Sequence, residues 1–173
     1  MQKSIWIFGI IAGIICAVLE YLFFKAVGSS ANVMFVSKIA VFTVCLIFGL
    51  ILAKKLQGGI ISIARTILSG LLISLIRAGV MIIVFLYLYS PSGEFYQPRA
   101  EEAFVVAAAK VDADELVKPA DKEMELDIIK GQIARQYEPV GYSLVTIGGS
   151  LVTGLVLSIL MAAFIGKNMM YEE

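Results

Sequence analysis

Long apolar runs alternate with short polar breaks along most of this 173-residue chain. The runs cover residues 4–27, 33–53, 60–89 and 140–166, and each has the roughly 20 residues that a helix needs to cross a hydrocarbon core. Because lipid offers an exposed backbone no hydrogen-bond partner, such runs cross the membrane as helices. We therefore expect an all-α polytopic membrane protein with four transmembrane helices, in which residues 1–173 form a single membrane domain.

The one long polar stretch, residues 90–139, predicts two further helices between the third and fourth spans. It holds eleven of the fourteen acidic residues and six of the fourteen basic residues. Its first part, residues 100–110, is rich in alanine and glutamate, which favour helix. Pro119 suits the first position of a longer helix that ends near Glu138. We expect an extracytoplasmic helical hairpin that leans on the membrane surface.

The second helix of this hairpin is predicted to carry two apolar stripes at helical spacing. The smaller stripe consists of Met124 and Ile128, on the side opposite the larger one. The larger stripe is the candidate surface for a protein partner. Its residues are Leu126, Ile129, Ile133 and Tyr137.

Basic residues near the ends of the spans set the expected orientation in the membrane. Lysines and arginines within reach of the two sides are equal in number, so the strict count does not decide between them. Lys54 and Lys55 occupy a very short turn, where the positive-inside rule is strongest, whereas Lys25 and Lys38 lie within apolar runs. We expect both termini in the cytoplasm, and a multi-pass location in a bacterial inner membrane.

Three ionisable residues fall deep within the predicted spans, where a charge is costly unless it has a partner or a route to water. Glu20 and Lys38 lie at the same level, about 10 Å below the turn between the first two spans. Arg77 lies about 18 Å below Tyr89, and its long side chain can reach outward. We predict that Glu20 accepts hydrogen bonds from Lys38, Arg77 or both.

This cluster of Glu20, Lys38 and Arg77 has two interpretations. The functional one is a polar pocket that binds an anion, a lipid head group or a proton, with the excess of positive charge favouring an anion. The structural one is an ion pair that fixes the register between helices, which is the more frequent role of such pairs.

The residue types that the chain lacks narrow its chemistry. It has no histidine, the commonest metal ligand and general base. The serines and threonines of the spans have no base to activate them, and we expect them to bond the backbone one turn back or a neighbouring helix. Net charge is zero, which gives no case for a nucleic-acid partner. We expect a non-enzymatic protein in a lipid bilayer, with no metal and no cofactor.

Small residues predict where the helices approach one another closely. Gly9 and Gly13 form a small-xxx-small pair in the first span. A second patch lies in the last span. It consists of Gly148, Gly149, Ser150, Thr153 and Gly154.

The third span begins with Gly58-Gly59-Ile-Ile-Ser62-Ile-Ala-Arg65 and Gly70-Leu-Leu-Ile, and the loop closes on Tyr137-Glu138-Pro139. This arrangement resembles an uncharacterised family of small membrane proteins common in Bacteroidetes, known only as a domain of unknown function. That family often has a glycine, a large hydrophobic residue, serine and a basic residue here, and Ile63 replaces its usual phenylalanine after the serine. The resemblance implies four spans with a polar helical segment between the third and fourth, and it brings no catalytic residues.

Two functional hypotheses follow. The first is a non-enzymatic accessory or scaffold subunit whose outer helical loop meets a membrane-protein partner. The second is a small transporter or a lipid- or anion-binding protein that acts as a homo-oligomer and uses the intramembrane cluster. The scaffold ranks first because four spans of this length make a thin bundle with little room for an internal pathway.

Overall fold

The computed structural model describes residues 2–25, 31–89, 96–113 and 119–165, and every regular element in these ranges is a helix. The expected all-α class is therefore confirmed for the described residues. The six helices are α1 (Gln2–Lys25), α2 (Ala31–Leu56), α3 (Ile63–Tyr89), α4 (Gln97–Ala113), α5 (Pro119–Tyr137) and α6 (Pro139–Ile165).

Four of these helices are long and apolar enough to cross a membrane, as the apolar runs predict. The ends of the predicted spans at 26–27 and 166, and residues 90–95 of the predicted loop, lie outside the described residues. Elsewhere the boundaries shift by a few residues, since α2 continues through the two lysines and α3 begins after the predicted residue 60. The candidate spans are Lys3–Lys25, Val33–Leu56, Ile63–Leu88 and Pro139–Ile165.

The turn between α2 and α3 is built by glycine and a serine cap. Gly58 and Gly59 have φ angles of 79° and 90°, a region that residues with a side chain rarely adopt. Ser62 then accepts a hydrogen bond from the backbone N–H of Arg65 at 3.3 Å, as a helix N-cap does. The early residues of the third apolar run are therefore used to make the turn, which is why α3 starts at Ile63.

The chain forms two compact units. The first, Met1–Val84 with Thr146–Glu173, contains α1, α2 and most of α3 and α6. Its described core is apolar and includes the fully buried side chains of Phe42, Leu46 and Ile73. The second unit is Phe85–Val145.

Within the first unit, α3 and α6 interlock through two glycine–serine pairs. Gly70 of α3 faces Ser158 of α6, and Gly154 of α6 faces Ser74 of α3. A Cβ added at either glycine would overlap the opposing serine, with the serine Cβ only 2.7–2.8 Å away. Each serine hydroxyl donates to the glycine carbonyl one turn back in its own helix, so both of these hydroxyls are paired.

The close approach of α1 to α3 uses the predicted pair Gly9 and Gly13. A Cβ at Gly9 would lie 2.7 Å from Cβ of Ile76, and one at Gly13 would lie 2.6 Å from Cβ of Val80. The prediction of close packing at this pair is confirmed. The patch in α6 is only partly used, because Gly154 packs closely whereas Gly148 and Gly149 have open space around them among the described residues.

In the second unit, α4 and α5 lie in contact beside a stack of aromatic rings. The ring centroid of Phe85 lies 3.6 Å from that of Tyr142 and 4.3 Å from that of Tyr96, and both pairs are stacked. Lys122 of α5 donates to the carbonyl of Asp112 of α4 at 2.8 Å. The polar stretch between the third and fourth candidate spans is therefore packed helical structure over its described residues.

Candidate functional site

Arg77 lies near the middle of α3. Helix rise places its Cα about 21 Å from that of Ile63 and about 18 Å from that of Tyr89. Only 9% of the residue is exposed. A guanidinium is a cationic group, so this position holds a buried positive charge.

Two neighbours from other helices fix the plane of the Arg77 guanidinium. Nη1 donates a hydrogen bond of 3.3 Å to Oγ of Ser150, a buried residue of α6. The central carbon of the guanidinium lies 4.6 Å from the ring centroid of Phe42 in α2, which is a cation–π contact. Nε is buried and has no hydrogen-bond partner among the described residues. Nη1 is therefore bound to Ser150, whereas Nε donates to none of the described residues.

Glu20 and Lys38 form the ion pair that their matching depths predict. Lys38 Nζ donates to Glu20 Oε2 at 3.5 Å, and both side chains are largely buried. The sequence predicts Lys38, Arg77 or both as partners of Glu20, and the structure places Lys38 beside it. The two helices α1 and α2 are thereby linked at one level.

The charges of the described spans do not balance at Arg77. Lys38 is neutralised by Glu20, and the described residues place no carboxylate within ion-pair distance of Arg77. Removing an ion of this size from water costs several kcal/mol even after the protein relaxes. The arrangement has the chemistry of a receptor for one negative charge, since it provides a desolvated cation with an unused donor.

Sequence reasoning found Arg77 and missed Ser150 and Phe42 as its neighbours. Ser150 belongs to the small-residue patch, where it was expected only to allow close packing. The signal that connects it to Arg77 is the register of α3 against α6. Gly70 of α3 faces Ser158 of α6, and four residues further along α3, Ser74 faces Gly154. Because the two helices are antiparallel, each step of four residues forward in α3 is a step of four residues back in α6. The next step along this register leads to the level of Arg77 and Ser150.

A family model described as "Protein of unknown function (DUF4199)" matches residues 7–167. The chain belongs to the DUF4199 family. No curated protein and no solved structure matches it. The resemblance to an uncharacterised domain family is thus confirmed. The matched region of the DUF4199 protein includes Glu20, Lys38, Arg77 and Ser150, so the buried charges belong to the family's domain.

The DUF4199 protein also exposes apolar side chains on its polar helices. Met124 and Ile128 of α5 are 64% and 52% exposed, and Val105 and Val106 of α4 are 65% and 53% exposed. The larger stripe of α5 is only half-buried, and Tyr137 at its end stacks on Tyr96 with centroids 6.4 Å apart. Whether the larger stripe faces a partner remains a prediction. Its residues Leu126, Ile129, Ile133 and Tyr137 are all of intermediate burial.

Hydroxyl groups of the candidate spans mostly bond the preceding helical turn, as expected. Thr43 donates to the carbonyl of Ile39 at 2.8 Å, and Ser143 donates to that of Pro139 at 2.7 Å. The serines of the α3–α6 crossing do the same. These hydroxyls are therefore engaged in helix packing and bending in the DUF4199 protein.

Proposed function

We propose that this DUF4199 protein is a non-enzymatic integral membrane protein that binds an anion at Arg77. The observation that carries the proposal is an arginine that is nine-tenths buried, with an unpartnered Nε and no carboxylate at ion-pair distance among the described residues. Ionisable residues in membrane helices are costly, and their usual roles are pairing, substrate binding and ion passage. Pairing already accounts for Lys38, which leaves Arg77 for a ligand.

The function is therefore one of binding or transport. An anion at Arg77 would give the guanidinium a partner in place of the water that it loses on burial, and would lower the cost of burying it. Any ligand that binds only the folded protein stabilises it in proportion to the logarithm of its concentration. Binding at this site is thus measurable as a change in thermal stability.

Replacing Arg77 by leucine tests the proposal. The variant is expected to fold and to be more stable than the wild type in the absence of anions, by on the order of 1 kcal/mol, because an unpaired buried charge is removed. It is also expected to lose any stabilisation by added anions. Melting temperatures of the purified proteins, measured at low salt and then with different sodium salts at one common ionic strength, give both quantities.

The control is Arg65→Leu, the same substitution in the first turn of α3, where the arginine is exposed. This variant should keep the response of the wild type to anions. If Arg77→Leu responds to anions as the wild type does, Arg77 has a structural role only.

A second candidate function, the accessory or scaffold subunit, is favoured by the exposed apolar side chains of α4 and α5. Apolar groups on an otherwise charged helical pair suit contact with a membrane-protein partner or a second copy of the chain. The test is native mass spectrometry after gentle extraction, on the wild type and on a Met124→Ser, Ile128→Ser variant. A stoichiometric second polypeptide that the variant loses would support this function, and its retention by the variant would count against these two residues.

We infer a bacterial inner membrane, with termini in the cytoplasm and α4 and α5 outside. Lys54 Nζ at the end of α2 donates to the carbonyl of Ile165 at the end of α6, at 3.1 Å, so these two helices end at the same side. Two lysines at that end favour the cytoplasm under the positive-inside rule. Labelling of a cysteine introduced at Glu123 by an impermeant reagent in intact cells would support this orientation, and protection from the reagent would reverse it.

A further inference from the structure

We propose that the anion is a monovalent carboxylate, bound through two parallel hydrogen bonds by the Nε edge of Arg77. This inference rests on the proposed function and names the chemical class of its ligand. It follows from the geometry of the guanidinium, from its charge and from its depth in the candidate span.

The geometry leaves the Nε donor of the guanidinium without a partner among the described residues. Nη1 is bound to Ser150, and Phe42 lies against the guanidinium face, so the plane is fixed by α6 and α2. Nε is buried and donates to none of the residues that the structure describes. In any arginine the Nε–H and one neighbouring Nη–H point the same way, and two such donors match the two oxygens of a carboxylate. A spherical anion such as chloride offers a single acceptor atom to both donors, whereas a carboxylate offers one oxygen to each.

The charge of the site favours a single negative charge on the ligand. Arg77 contributes one positive charge, and Lys38 is already paired with Glu20 at 3.5 Å. A phosphate dianion would bring a second negative charge with no cation to balance it. Burying a net charge in an apolar interior is unfavourable, so the dianion is disfavoured.

The depth of the site leaves two sources for a carboxylate. One is a small water-soluble acid, and the other is an acyl chain that enters from the lipid. Only 17% of the apolar window of the candidate span in α6 is buried, the lowest share of the four candidate spans. Among the described residues, Gly148 and Gly149 beside Ser150 also have open space around them. Acetate and decanoate both carry a carboxylate. Acetate represents the small water-soluble acid and decanoate the acyl chain, so the response to each distinguishes the two sources.

The test compares wild type, Arg77→Lys and Arg77→Leu as purified full-length proteins in detergent. Melting temperatures are measured with sodium acetate, decanoate, phosphate and chloride at matched ionic strength, and with decanol as a control for partitioning of the chain. Arg77→Lys keeps the charge but lacks the two-donor edge. We expect acetate, decanoate or both to raise the melting temperature of the wild type, and Arg77→Lys to bind at least tenfold more weakly.

The outcomes separate this inference from the proposed function. Stabilisation by acetate supports a free carboxylate, and stabilisation by decanoate but by neither acetate nor decanol supports an acyl chain. Equal responses to all four anions, or an Arg77→Lys variant that binds as tightly as the wild type, would overturn the proposal that the ligand is a carboxylate. Either result would leave the proposal of anion binding in place. If no anion changes the wild type more than Arg77→Leu, both proposals fail.

Discussion

Replacing Lys38 by methionine is expected to lower the free energy of unfolding by about 3 kcal/mol. Methionine fills much of the volume of the lysine stem but removes the ammonium that lies 3.5 Å from Glu20 Oε2. The Glu20 carboxylate, in a residue only 8% exposed, then loses the cation that offsets its burial. Breaking one partner of a buried pair is costly for this reason, even where the intact pair contributes little. Chemical unfolding in detergent mixtures measures the change.

The double variant Lys38→Met, Glu20→Gln shows whether the loss arises from the broken pair. Because both charges are then absent, most of the lost stability should return, and the two single substitutions should be strongly non-additive. Lys25→Met is the control, since Lys25 is an exposed lysine at the end of α1 and should change stability by less than about 0.5 kcal/mol. Additive effects of the two single substitutions would mean that the pair is not formed.

Replacing Gly154 by alanine is expected to cost about 2 kcal/mol, because the added methyl group overlaps Ser74. The serine cannot move away by rotating its hydroxyl, since its Cβ would lie 2.7 Å from the new Cβ. Relief therefore requires that α3 and α6 separate. Gly148→Ala is a matched control in the same helix, where an added Cβ meets no atom of the described residues within 4 Å.

The control should be neutral or slightly stabilising, because alanine favours helix over glycine. Ser74→Gly removes the opposing Cβ and should restore part of the stability of the Gly154→Ala variant. An equal loss of stability in Gly154→Ala and Gly148→Ala would contradict the interlocked crossing. The same outcome would also contradict the register of α3 against α6 that places Ser150 beside Arg77.

The four candidate spans and the two polar helices could be predicted from the sequence because length and polarity decide them. A run of about 20 apolar residues has few alternatives to a helix in lipid. Pro119 marked the start of α5 for an equally local reason, since its ring suits the first helical position. Helix rise alone predicts that Glu20 and Lys38 lie at the same depth in the membrane, and their 3.5 Å contact agrees with this prediction.

The neighbours of Arg77 could not be predicted, because helices that are apolar on every side carry no signal of their rotation. Depth along the membrane places Arg77 within reach of several positions, and only packing selects Ser150 and Phe42. Small residues show the same limit. Gly148 and Gly154 look alike in the sequence, yet only Gly154 lies at a helix crossing. The two stripes of α5 likewise left open which one would be more exposed.

The central claim, an anion at the Nε edge of Arg77, is tested most directly at that atom. The sequence contains four arginines, so protein labelled with ¹⁵N-arginine gives four Nε–H signals in a nuclear magnetic resonance spectrum. The Arg77→Lys variant identifies the signal of Arg77. Titration of the protein in lipid nanodiscs with acetate and then decanoate should move this signal to a saturating position while that of Arg65 stays constant. An Arg77 signal that neither carboxylate moves, in protein whose other signals show a folded chain, would contradict the claim.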